Sequence, residues 1–183
     1  MEFLDVVDES GNPTGETVSR SDAHRKGIAH RTSHVWIIRR INDRVQILLQ
    51  KRSMQKESFP GKYDTSSAGH IPAGFEPVGS ALRELEEELG IRAEREQLES
   101  IGTIRVNYQR QFHGSLYIDN EYVNVFVYHG NVDPEGLSLQ ASEVDDVQWF
   151  DLDETIREIQ FSRERFCVPY DSLVLLKRYL PER

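Results

Sequence analysis

Hydrophobic and polar positions change their spacing along this chain, and the changes divide it into elements. The stretch "FLDVV" enters the turn-rich "DESGNPTGET", which predicts a strand, a Gly/Pro/Asn turn and a returning strand, an N-terminal hairpin arm within residues 1–30. "SDAHRKG" predicts one or two helical turns opened by a Ser or Asp cap and closed at Gly27. "HVWIIRR" and "VQILLQKR" flank the tight polar turn "INDR" and predict two central strands. "SMQKESFPGKYD" has the composition of a loop. "LESIGTIRVNYQRQF", "EYVNVFVYHG" and the shorter "EVDDVQWFDL" carry the β-branched and aromatic content of strands. "DETIREIQ" and "YDSLVLLKRYL" return to helical spacing and predict closing helices. No repeat, low-complexity linker or composition shift marks a second domain. The pattern predicts one α+β domain over residues 1–183, a mixed sheet covered by helices.

One further helix is bounded by its own chemistry. Pro77 can open it, because a missing N–H costs nothing in a first turn, and Gly90 can end it in the left-handed conformation. Val78, Ala81, Leu82, Leu85 and Leu89 then share an apolar stripe suited to packing on a sheet. Glu84, Glu87 and Glu88 share another side at spacings of three and four residues, where like charges destabilise a bare helix. Arg83 can pair with Glu86 or Glu87 but cannot neutralise the patch. A hard divalent cation, Mg²⁺ or Mn²⁺, would do so.

Composition narrows the chemistry. The 183 residues carry a net charge of −9, with 38% hydrophobic and 29% charged residues. That balance fits a soluble globular domain, and the acidic field excludes a general nucleic-acid groove while allowing a small phosphate screened by cations. The single cysteine, Cys167, forms no internal disulfide, and its apolar neighbours in "RFCVPY" predict a core thiol in a reducing compartment. Neither a basic leader with an apolar run nor a membrane-spanning apolar segment is visible, so a cytoplasmic location without a membrane partner is expected.

A run such as "ELEEEL" is ordinary on a solvated helix face; its frame here is not. Gly69 stands fourteen residues before Arg83, followed by Glu84, Leu85, Glu87, Glu88, Gly90 and Ile91. This arrangement resembles the Nudix hydrolase box over residues 69–91. The resemblance implies a Nudix-type mixed β-sheet sandwiched between helices, and a metal-dependent hydrolase cleaving a diphosphate linkage in a small organic or nucleoside diphosphate. Glu84, Glu87 and Glu88 would hold divalent cations, Arg83 would orient them, and Gly69 would allow close approach. The pattern departs at one position, where the first box glutamate is replaced by Phe75 with Glu76 beside it.

The flanks "HRTSHVWII", "ILLQKRS" and "FPGKYDTSSAGHIPAG" resemble the isopentenyl-diphosphate isomerase branch of the same superfamily, over about residues 2–150. The resemblance places Ala68 where those isomerases carry a catalytic cysteine, and an alanine cannot transfer a proton. It also implies that Asp119 and Glu121 match an acidic pair, and that His30, His70 and, with a one-residue offset, His24 match histidine metal ligands. Any single histidine is more often a hydrogen-bonded structural residue. Lys51 and Arg52, ending a strand, are candidate phosphate contacts beside His70. Glu143 lies where many Nudix hydrolases carry an extra acidic residue and is a candidate general base. Trp36 and Trp149 are expected in the core or sheet. Hydrolysis is favoured over isomerisation, with a non-catalytic diphosphate-binding module as a third reading. A free hairpin edge could pair with a second copy to form a homodimer.

Overall fold

The computed structural model describes residues 1–181. Strands β1 (Phe3–Val7) and β2 (Pro13–Ser19) form an antiparallel two-stranded hairpin. Helix α1 (Arg20–Lys26) follows at once, with the Ser19 hydroxyl accepting the Asp22 N–H at 3.2 Å and Gly27 closing it at φ 67°. The cap is thus Ser19 rather than Ser21 or Asp22, because the helix begins directly where β2 ends.

Strands β3 (His30–Ile41) and β4 (Arg44–Arg52) form the expected central hairpin. Asn42 and Asp43 take φ 49° and 61° at its turn, the left-handed pair that matches the twist of two flanking strands. The stretch that reads as a loop holds the short β5 (Tyr63–Asp64), and β6 (Ser67–His70) carries the first box glycine in a strand on β3. Helix α2 (Pro77–Leu89) has the predicted bounds. Gly90, at φ 71°, donates to the Glu86 carbonyl, while Ile91 N–H reaches that of Leu85, closing the last turn.

Strands β7 (Leu98–Phe112) and β8 (Ser115–Tyr128) pair along their whole length, and β8 begins six residues before the strand that apolar content marks. Its polar first half is held as strand by the backbone ladder, with Ser115 opposite Phe112. Strand β9 (Val144–Asp151) pairs with β4, and helices α3 (Leu152–Phe161) and α4 (Tyr170–Tyr179) follow. The seven-stranded sheet runs β5-β4-β3-β8-β7, with β6 also on β3 and β9 also on β4. The β3–β8 pair is parallel, and the other pairings are antiparallel.

Alternation along the central strands separates two cores. Val35, Ile37, Leu48 and Phe126 pack with Ala81, Leu85 and Leu89 of α2. Trp36, Ile47, Leu49 and Val125 pack with Ile159, Leu173 and Leu176 on the opposite side. Trp36 is fully buried and donates to the Ser172 hydroxyl at 3.0 Å. Helices therefore cover both faces of a mixed sheet, in an α+β fold with an N-terminal hairpin. No helix among the described residues is long and apolar enough to cross a membrane.

Candidate functional site

The face of the sheet that packs against α3 and α4 changes character along its length. On β3 the residues of that face are His30, Thr32, His34 and Trp36, and on β8 they are Asp119, Glu121, Val123, Val125 and Val127. Parallel register sets His30 opposite Glu121 and Trp36 opposite Val127. One end of the face is apolar core and the other is a polar cavity of about 440 Å³.

Helix α2 brings the box carboxylates to this cavity at different depths. Glu87 is half exposed, Glu84 is mostly covered, and Glu88 is buried. One Glu88 oxygen, Oε2, accepts from Ser67 Oγ at 2.8 Å, Ala68 N at 3.1 Å and Gln50 Nε2 at 3.2 Å. Burial, with the nearby charge of Glu84, nevertheless pushes the Glu88 carboxyl up to about 8, and burial also raises Glu84. A positive ion held here would reverse that preference for the neutral form. Arg83 ion-pairs with Glu84, lies 3.7 Å from Glu87, and donates to the His70 carbonyl at 3.2 Å. Glu86 turns away to Arg92 at 2.9 Å. Gly69 lies so close to Glu84 that a Cβ there would fall 2.1 Å from its carboxyl carbon.

A second cluster of ligating side chains forms the floor. His24, His30, His70 and Glu121 each offer an atom within 4.8 Å of the others, and all four are buried. His24 Nε2 meets His70 Nε2 at 2.9 Å, and the His30 and His70 Nε2 atoms each lie 3.7 Å from Glu121 Oε1. His30 Nε2, His24 Nδ1 and Asp119 Oδ1 are buried without hydrogen-bond partners, a costly state that a cation or proton would relieve. Burial, then His30, lowers His24 to about 4, and burial holds His70 well below the ordinary value. Both rings are thereby kept neutral, the form that ligates metal. Burial and the Glu121 charge raise Asp119 to about 9, whereas Glu121 is lowered against its own burial by the facing His30 and His70 rings. The three nitrogens and one carboxylate suit Mn²⁺, Fe²⁺ or Zn²⁺, whereas the oxygen-only box patch suits Mg²⁺ or Mn²⁺. The donor sets therefore fit divalent cations in both places.

The remaining candidates divide. Arg52 lines the cavity, but its guanidinium is committed to Asp64 at 3.1 Å and the Ser58 carbonyl at 2.9 Å. Lys51 points elsewhere in register, opposite Tyr63 and Asp146, and does not line the cavity. Glu143 does line it and ion-pairs with Lys56. Its loop is docked on the last turn of α2, with Ser138 N–H to Leu89 O at 3.1 Å and Gln140 N–H to Glu88 O at 3.0 Å. Phe75 and Glu76 are exposed, and Glu76 makes no side-chain cap on α2. Cys167 is half-buried on the cavity wall rather than in the core; burial raises its thiol, which donates to Tyr63 O at 3.5 Å. Tyr108 and Tyr117 join the site without a local sequence signal, because the β7–β8 pairing sets Tyr108 opposite Asp119. The polar interruption of an apolar strand face at His30, Asp119 and Glu121 was the available signal. His24, matched to a histidine ligand by the isomerase-branch resemblance with a one-residue offset, is brought there by the docking of α1.

A NUDIX domain model matches residues 30–167. The chain is 37% identical over 156 residues to an uncharacterised Nudix hydrolase of Clostridium acetobutylicum, covering 85% of this chain and 73% of that one. It is 38% identical over 173 residues to Nudix hydrolase 3 of Arabidopsis thaliana, covering 93% of this chain but 22% of that much longer protein. An isopentenyl-diphosphate Delta-isomerase of Serratia proteamaculans is 29% identical over 167 residues, covering 91% and 86%. The crystal structure of DR0079 from Deinococcus radiodurans aligns with 98% of this chain and 100% of that one, at a TM-score of 0.70 and 16% identity, which marks a shared fold.

Proposed function

The chain belongs to the NUDIX domain family and is a hydrolase of phosphorus-containing anhydrides, and from that premise we propose that it cleaves the diphosphate linkage of a small organic or nucleoside diphosphate with Mg²⁺ or Mn²⁺. The observation that carries this is one cavity lined by the three box carboxylates together with His70 and Glu121 of the His/Glu cluster, with His24 and His30 buried behind them. Bound cations would offset charge on the non-bridging phosphate oxygens and favour ionisation of the attacking water.

The chain's own residues take distinct parts. Glu84, Glu87 and Glu88 hold cations, and Arg83 orients Glu84 and Glu87 while anchored on the His70 carbonyl. Glu143 is the candidate base, held at the cavity by its ion pair with Lys56. Gly69 leaves the space that Glu84 occupies. Glu87→Gln removes one anionic oxygen from an exposed position, so the variant should fold normally and lose at least about 100-fold in hydrolysis. A folded variant with the wild-type rate on a confirmed substrate would refute the assignment. The substrate itself is found by a metal-supplemented screen of nucleoside, sugar, coenzyme, thiamine and isoprenoid diphosphates, with products read by mass.

The His/Glu cluster and the relatives named as isomerases favour a second reading, isopentenyl-diphosphate isomerisation using Asp119 and Glu121. Against it, Ala68 offers no proton, and Cys167 lies beyond the box with its thiol held protonated. Formation of dimethylallyl diphosphate at a substantial rate, without phosphate release, would reverse the order of these readings.

A further inference from the structure

The N-terminal hairpin lies outside the residues matched by the NUDIX model, which begin at 30, yet it grips the loop between β6 and α2. Leu4 bridges Pro72 in antiparallel register, and Ala73 N–H donates to the Phe3 carbonyl at 2.9 Å. The Asp5 carboxylate accepts Gly74 N–H at 3.0 Å and the Arg31 guanidinium at 2.8 Å. Arg31 donates onward to the Phe75 carbonyl at 3.3 Å, and its own carbonyl accepts Ile71 N–H at 3.1 Å. The Asp5 and Arg31 side chains are only 11% and 13% exposed, so removing either leaves a largely buried charge without its partner. Phe75, at the position of the missing box glutamate, is 57% exposed, and only its backbone enters this network.

We infer that Asp5, outside the matched residues, and Arg31, just inside them on β3, are positioning residues that brace residues 71–75, a part the exposed Phe75 side chain does not take. The brace reaches the carboxylates through two contacts. The His70 carbonyl at the head of the loop anchors Arg83, which pairs with Glu84, and Gly69 beside it bounds the space in which the Glu84 carboxylate lies. Movement of the loop therefore moves both groups that orient Glu84. The link to catalysis rests on Glu84 holding a cation, as proposed above; the brace itself does not.

Asp5→Asn, Arg31→Met and the double variant, each in the full chain, test this by hydrogen exchange and by thermal shift on Mn²⁺ titration. Amides of Ile71, Ala73 and Gly74 should exchange at least about tenfold faster in the single variants, while interior amides of β3 and β8 keep their rates. The Mn²⁺ concentration giving half the thermal shift should rise several-fold, and the double variant should be little worse than either single one, since both remove one interaction. Unchanged loop exchange, or acceleration spread evenly through the sheet, overturns the brace. Faster loop exchange with an unchanged Mn²⁺ midpoint overturns its link to Glu84. A wild-type protein with no cation-dependent shift defeats the metal reading instead, and loop exchange then still decides the brace.

Discussion

Glu88 shows how one residue can serve two states. Its three donors would ordinarily favour a carboxylate, but burial and Glu84 win, and the carboxyl is held at about 8 against an ordinary 4.5. A raised carboxyl contributes stability that is complete below the unfolded value of about 4.5 and disappears as pH rises through about 8. Asp119, at about 9, acts in the same direction. His24, lowered to about 4, acts oppositely, and its contribution is lost as pH falls from about 6.5. Metal-free protein should therefore be most stable in mildly acidic solution and lose melting temperature from pH 6.5 to 9. A divalent cation should restore more of that loss the higher the pH. Melts with chelator and with Mn²⁺ across this range check it, and a metal-free melting temperature that rises towards pH 9 would contradict it. Glu88→Gln keeps an acceptor for Ser67 and Ala68 and should flatten part of the alkaline loss.

At the scale of elements, α2 connects core and site. Its apolar stripe was legible because Val78, Ala81, Leu82, Leu85 and Leu89 recur at helical spacing between Pro77 and Gly90, and these residues do pack on the sheet. The same packing fixes the rotation of the helix and sinks Glu88 while leaving Glu87 in solvent. Leu85 is fully buried among Val35, Ile37 and Leu48. Leu85→Ala should cost about 2–5 kcal/mol in urea unfolding, and the residual folded fraction should show weakened cation binding, because the carboxylates share the helix that loosens. Strand β7 was legible over its whole length, Leu98–Phe112, whereas β8 was legible only from Glu121 onward. The first part of β8 carries polar residues, and its ladder with β7 rather than apolar content makes it a strand.

Across the whole molecule, the ligating cluster draws on α1, β3, β6 and β8, with His24 supplied by the N-terminal segment. His24 stacks on Tyr117 with ring centroids 4.3 Å apart and lies on α1 rather than in the sheet, so loss of the imidazole removes a proposed ligand while leaving the strands paired. His24→Ala should keep a native circular dichroism spectrum and retain at least about tenfold less Mn²⁺ or Zn²⁺ in equilibrium dialysis. Undiminished retention would remove His24 from the ligand set. The N-terminal segment is therefore a wall of the site as well as an arm: Glu2 and Arg20 line the cavity, paired at 3.1 Å.

By itself the sequence determined what depends on neighbours along the chain. Helix α2 and its caps, the β3–β4 turn and the spacing of Arg83, Glu84, Glu87 and Glu88 are set by local geometry, which repeats wherever the pattern does. Tertiary structure alone decided depth and company. It buried Glu88, set Lys51 apart from the cavity, brought His24 to His70 across 46 positions of chain, and closed the N-terminal hairpin on the box loop. Those outcomes depend on which faces meet and on how much water they exclude, and neither quantity is carried by residues adjacent in sequence.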